Sequence, residues 1–217
     1  MKIALINGSP KKNETSRKNR SVSGLILQAV REKLGDLHDY VTCTPAVSEK
    51  EQSLSSLKDC DAVIFAFPLY IDGIPSHLLH FLDEIKDDIK TAAPEAMVWA
   101  AVNNGFYEGS QNVLALDMMQ AFCIASGLKW GQGIGIGAGG MIKAAPVGKG
   151  PMRNLGLALD SLAENIICSR PQSNLFTVPN FPRFLYKTFA HFGWRTDAGK
   201  NGIKTKDLYD KYEQISQ

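Results

Sequence analysis

The chain has 217 residues, 44% of them hydrophobic, with 24 basic and 22 acidic side chains and a formal net charge of +2. That length and apolar content suit one folded domain rather than a disordered chain, and the balanced charge gives no case for nucleic acid, which calls for a clustered basic face. The four cysteines, Cys43, Cys60, Cys123 and Cys168, stand far apart with no C-x-x-C among them, which excludes a zinc ribbon and a clustered iron–sulfur site.

The first stretch, Met1 to Ser23, organises the rest of the chain. Ile3-Ala4-Leu5-Ile6 predicts a buried strand. Asn7-Gly8-Ser9-Pro10 breaks it, and a loop rich in hydroxyls and positive charge comes next. Apolar residues at Val22, Leu25, Ile26, Ala29, Val30 and Leu34 then repeat at helical spacing. A helix start leaves backbone N–H groups unpaired and carries partial positive charge, so it attracts anions, phosphate above all. Ser9, Asn13, Thr15 and Ser16 add side-chain donors, and Lys11, Lys12 and Arg17 add charge. Gly8 lets the backbone approach closely. We read a phosphate-binding turn; the plainer alternative is a basic loop capping a helix. It is not a Walker A loop, which needs a second Gly and then Lys-Ser/Thr, nor a dinucleotide fingerprint, because two further glycines are missing.

Gly35 and Asp36 stop the first helix. Tyr40 to Cys43 predicts a weak second strand, and the polar stretch Thr44 to Lys58 offers Ser48 and Ser53 as helix starts. Asp61 to Phe67 predicts a strand buried on both faces, being continuous and apolar. Pro68-Leu69-Tyr70-Ile71-Asp72-Gly73-Ile74-Pro75 comes after it, where two prolines and a glycine exclude regular structure. A helix is next, with Leu78, Phe81, Leu82, Ile85 and Ile89 at spacings of three and four. Met97 to Val102 is the fourth strand, succeeded by the loop Asn103 to Ser110 and a helix from about Gln111 to Ser126, apolar nearly all round. Trp130 to Gly137 alternates Gly and Ile as a fifth strand. A glycine-rich loop covers Ala138 to Gly150, and Leu155, Leu159, Leu162 and Ile166 mark a last helix of the domain.

Strands alternating with helices predict a parallel α/β sheet covered on both faces. Ligands bind such sheets outside the carboxyl ends of the strands. The three best-marked loops, after strands one, three and four, all fall at that edge. The second offers rigid backbone around a tyrosine. The third offers amides, a glycine, two aromatics and a carboxylate. A flat ring with polar edges fits between them.

Gly8-Ser9-Pro10 with Thr15-Ser16, Pro68-Leu69-Tyr70 before a helix, and Asn104-Gly105 with Glu108-Gly109 together resemble the flavodoxin-like NADPH-dependent FMN reductases, over about Met1 to Gly140. The resemblance implies a five-stranded doubly wound sheet in the order 2-1-3-4-5, FMN as cofactor, NAD(P)H as co-substrate and a small-molecule electron acceptor such as a quinone, a nitro or azo compound, or free flavin. By it, Ser9, Lys11, Thr15 and Ser16 would hold the FMN phosphate. Pro68, Leu69, Tyr70 and Ile71 would line the ring, and Asn103, Asn104, Gly105 and Glu108 would meet its pyrimidine edge or the ribityl chain. Lys11 stands where many relatives carry arginine, and in this long loop Ser21 is an alternative to Ser16. Because the flavin does the redox chemistry, no acid or base is assigned; Tyr70 and Tyr107 are candidates for stacking or gating. A flavodoxin-type electron carrier without its own substrate is the alternative. A phosphate-binding α/β protein without flavin ranks behind it, since a receiver domain would need acidic residues where Asn7-Gly8-Ser9 stand.

Other signals carry less weight. Gly135-Ile136-Gly137-Ala138-Gly139-Gly140 matches G-x-G-x-x-G, but it lies after the fifth strand and opens no helix. His77 and His80 lack a third metal ligand, so no metal site is expected. Asp83, Glu84, Asp87 and Asp88 read as a solvated acidic face. Residues 1–170 are expected to form the FMN-binding domain, and 171–217 an extension packing on it or on a partner subunit. In that extension Phe181, Leu185, Phe189 and Phe192 share one helical face, which must be buried somewhere. A homodimer or homotetramer is expected, with a membrane surface as the less favoured partner for the tail. No signal core and no apolar run of about 18 residues occurs, so a cytoplasmic location and no transmembrane segment are expected.

Overall fold

A computed structural model describes residues 1–11, 20–45 and 50–209. It divides into two compact units, Met1–Asn180 and Phe181–Gln217. The first unit is built on a parallel sheet of six strands in the order β2-β1-β3-β4-β5-β6. They are β1 (Lys2–Asn7), β2 (Asp39–Cys43), β3 (Ala62–Pro68), β4 (Met97–Asn103), β5 (Lys129–Ile136) and β6 (Leu175–Thr177). The helices of this unit are α1 (Val22–Leu34), α2 (Lys50–Leu57), α3 (Ser76–Ile85), α4 (Ile89–Ala92), α5 (Val113–Ser126) and α6 (Arg153–Ile167).

The flavodoxin-like order expected for the first five strands is present, with one correction to the count. A sixth strand, β6, pairs with Ile134–Ile136 of β5 and forms the edge. Its three residues are too few to show a period. It lies in the stretch expected as extension, yet it is part of the sheet. The helix expected through Ile89 is also interrupted, ending at Ile85 and resuming as the short α4. Ile85 and Ile89 reach the same core, so the apolar spacing runs on across the break.

Side chains alternate across the strands. Ile3 and Leu5 of β1, Ile64 of β3 and Trp99 of β4 face α1 and α6. Ala4, Ile6, Val63, Phe65 and Phe67 face the other way, against α3 and α5. Because both faces are covered, β3 and β4 read as unbroken apolar runs. Ser21 starts α1: its Oγ accepts the Gly24 N–H at 3.0 Å, a cap worth about 1 kcal/mol. Gly127 closes α5 at φ +70°, donating to the Cys123 and Ile124 carbonyls.

The second unit contains α7 (Arg183–Lys200) and a short 3-10 turn over Thr205–Tyr209. No residue of α7 is buried. Among the described residues no helix is long and apolar enough to cross a membrane, and no cluster of His, Cys, Asp or Glu could hold a metal.

Candidate functional site

The parallel register brings the carboxyl ends of β1, β3 and β4 to one edge, where Asn7 pairs with Ala66 and Pro68 with Asn103. Backbone bonds then stitch the loop roots together. The Gly8 N–H donates to the Ala66 carbonyl, and the Leu69 N–H to the Asn103 carbonyl, both at 2.8 Å. Gly8 suits this close approach, because a Cβ there would press on the Leu78 side chain and crowd the Phe67 Cβ.

In the first loop, Asn7 acts as the organiser. Its Oδ1 accepts the Ser9 N–H at 3.1 Å, and its Nδ2 donates to Ser21 Oγ at 3.2 Å. Ser9 is buried, and its Oγ accepts the Lys11 N–H. Lys11 is exposed. Thr15 and Ser16 lie outside the described residues. Ser21, the alternative to Ser16, is buried as the α1 cap.

The second loop is a tight hairpin. Tyr70 and Gly73 exchange both backbone bonds, at 3.1 and 3.0 Å. The two residues between them, Ile71 and Asp72, have φ of +47° and +56°, the signs of a type I′ turn. That is costly for a β-branched residue. Ile71 is nonetheless 103% exposed, so no packing offsets the strain. Strain held without a packing reason marks a place where function is worth seeking. Tyr70 is exposed beside it, while Pro68 and Leu69 are half-buried.

In the third loop, Asn103 and Asn104 are both buried. The Asn103 amide turns inward and donates to the Phe67 carbonyl at 3.0 Å and to Ser23 Oγ at 3.2 Å, bracing β3, β4 and α1 against one another. Asn104 shapes its own loop: its Oδ1 accepts the Phe106 N–H and its Nδ2 donates to the Glu108 carbonyl. Gly105 is exposed and Glu108 half-buried. The Tyr107 hydroxyl donates to the Pro179 carbonyl at 3.4 Å, a loop-closing role.

The glycine run of β5 proves to be a bed for this loop. A Cβ on Gly135 would strike the Gly109 carbonyl, and one on Gly137 the Tyr107 carbonyl; one on Gly109 would meet the backbone of Gly135 and Thr177. The first two glycines of the G-x-G-x-x-G spacing therefore serve backbone packing, whereas a Cβ on the third, Gly140, would meet nothing within 4 Å. Sequence reasoning missed Ser23 and the bracing role of Asn7. An Asn ahead of Gly at a strand end is the signal for the latter, since Asn bonds backbone two residues on.

A cleft of about 670 Å³ lies between α1 and β2. Asn7, Gly24, Gln28, Arg31 and Thr42 are among its lining residues, and the loops after β3 and β4 contribute none. The rim, and not this cleft, joins the three loops.

Residues 1–96 match the family model described as a flavodoxin-like fold. No curated protein matches the sequence. Solved structures do resemble this fold. An NADH:FMN oxidoreductase in its apo form is 16% identical, with a TM-score of 0.57, covering 79% of this chain and 90% of that one. A flavodoxin from Streptococcus pneumoniae TIGR4 is 16% identical, with a TM-score of 0.53, covering 78% and 99%. An FMN-dependent NADH-azoreductase from Bacillus anthracis str. Ames Ancestor, in complex with FMN, is 13% identical, with a TM-score of 0.51, covering 76% and 99%.

Proposed function

We propose that this flavodoxin-like chain binds FMN along the rim of the three loops and passes electrons from NAD(P)H to a small acceptor. The observation that carries the reading is the rim itself. The roots of three loops are tied by Gly8 to Ala66 and Leu69 to Asn103, with the strained Ile71 held out to solvent beside them. The donor set suits the cofactor. Ser9 and Lys11 offer a hydroxyl and an ammonium for its phosphate. Tyr70 and Ile71 offer exposed aromatic and aliphatic surface. A Cβ on Gly105 or Gly140 would meet nothing within 4 Å, so the rim has room there.

In this reading Ser9 and Lys11, with Thr15 and Ser16, hold the phosphate. Pro68, Leu69, Tyr70 and Ile71 lie along the ring. Asn104, Gly105 and Glu108 meet the pyrimidine edge or the ribityl chain, and Asn103 braces the loop roots. FMN, when bound, supplies the hydride acceptance and electron release that no side chain can. The protein positions the ring and keeps its edge hydrogen-bonded.

The test is the absorption spectrum of the purified protein, with titration by FMN and then NADPH or NADH. A yellow protein, or one whose Tm rises with FMN, whose colour bleaches on adding the nicotinamide, is the expected result. Colour without bleaching would make it a flavodoxin-type carrier. A colourless protein indifferent to FMN overturns the reading.

A further inference from the structure

Helix α7 is the one regular element in the described residues of the second unit longer than a turn, and it buries no residue. Phe184, Phe189, Phe192 and Trp194 are exposed at 68%, 63%, 70% and 72%. At about 100° per residue, Leu185, Phe189, Phe192 and Thr196 share one side. Arg183, Lys187, His191 and Arg195 run at intervals of four along the opposite side. Phe184 and Trp194 fall among those cations, and Trp194 sits edge-on to the His191 ring, 6.3 Å between centroids. The hydroxyls on or beside the apolar side do not interrupt it. Thr188 and Thr196 donate back to the Phe184 and Phe192 carbonyls at 2.9 Å, leaving methyl groups outward.

Charge shows the same division. Residues 181–217 hold seven of the basic and four of the acidic side chains, net +3, whereas the first 180 residues are net −1. We propose that α7 docks on an anionic lipid surface, Leu185, Phe189 and Phe192 entering the acyl boundary and the basic side facing the headgroups. Two features choose lipid over a second copy of the chain. A protein partner covers one side of a helix, but aromatic rings surround this one, and a headgroup layer suits both rings and cations. The near-neutral first unit of another copy also offers a net +3 segment little attraction, whereas anionic lipid attracts each nearby Lys or Arg.

Sedimentation of the full chain with vesicles tests this, using phosphatidylcholine alone and phosphatidylcholine mixed with phosphatidylglycerol. The protein is expected to pellet with the mixed vesicles roughly tenfold better than with neutral ones, and less well as salt rises. The double variant Phe189→Ser/Phe192→Ser is expected to stay in the supernatant with an unchanged Tm, since neither ring is buried. Lys187→Glu should weaken binding to mixed vesicles alone. Wild-type protein that stays in solution with mixed vesicles, or a double variant that pellets equally, overturns the proposal. So does a lipid-free dimer, measured by light scattering, that the double variant splits; a second copy would then cover the helix.

Discussion

The loop after β4 and helix α7 both carry aromatic rings, yet the loop's backbone rests on the sheet while the helix buries no residue. The difference lies in what stands opposite. Residues 104–112 lie on Gly135 and Gly137, and a side chain at either position would collide with the loop's backbone. The two glycines of α7, Gly193 and Gly199, have nothing within 4 Å of where a Cβ would sit. An aromatic segment is thus held down where small residues make room for its backbone. Ring count alone does not predict burial.

The sharpest way to break this contrast is Gly109→Ala. Its Cβ would press on the backbone of both Gly135 and Thr177, and backbone cannot turn away as a side-chain tip can. We expect a loss of roughly 2–4 kcal/mol, a Tm drop of several degrees by thermal melt, and weaker FMN binding because the third loop is displaced. An unchanged Tm would show that the loop is not seated on β5 and β6 as described.

A smaller effect is expected at Ile71, where strain and exposure coincide. Asn tolerates positive φ better than a β-branched residue. Ile71→Asn should therefore stabilise the free protein by about 1 kcal/mol. If Ile71 lies along the flavin ring, the same change should lower FMN affinity, read by titration of the bleached or bound flavin signal. A rise in Tm with unaltered FMN affinity would remove Ile71 from the cofactor contacts while leaving the strain real.

How much of this was legible in the sequence depends on the length of each signal. Strands β1, β3 and β4 announce themselves because burial on both faces makes them unbroken apolar runs. The loops after them announce themselves through Gly8, Pro68, Pro75 and Gly105. Strand β6 did not, since Leu175-Phe176-Thr177 is shorter than any period. The positive φ at Ile71 was hidden because the residue type argues against it, and only the Tyr70–Gly73 bond pair forces it. The inward turn of the Asn103 amide depends on Ser23, 80 residues away in sequence, a pairing no local pattern reports. Motif resemblance marked Asn103 as a ligand contact, and nothing in that motif reports that its amide also donates to the Phe67 carbonyl and Ser23 Oγ.

The mildest test separates packed from exposed groups by alkali. Cys123, in α5 against the sheet, is buried, and desolvation pushes its thiol up to about 12 from an ordinary 9.0. Burial also raises Cys60. Cys168 is exposed. Between about pH 9 and 12 the unfolded chain releases the Cys123 proton while the folded chain keeps it. The native state then binds more protons, so stability falls as pH rises. Below about pH 9 both states hold the proton and the effect vanishes. At about pH 10 the loss from Cys123 is on the order of 1 kcal/mol. Denaturant midpoints at about pH 8, 9 and 10 should show it, and Cys123→Ala should flatten the slope even though its cavity lowers stability at every pH. A thiol reagent at about pH 8 should label Cys168 in the native protein and reach Cys123 only after unfolding. Equal labelling of the two would mean that α5 opens readily and that the packed unit is looser than its buried side chains imply.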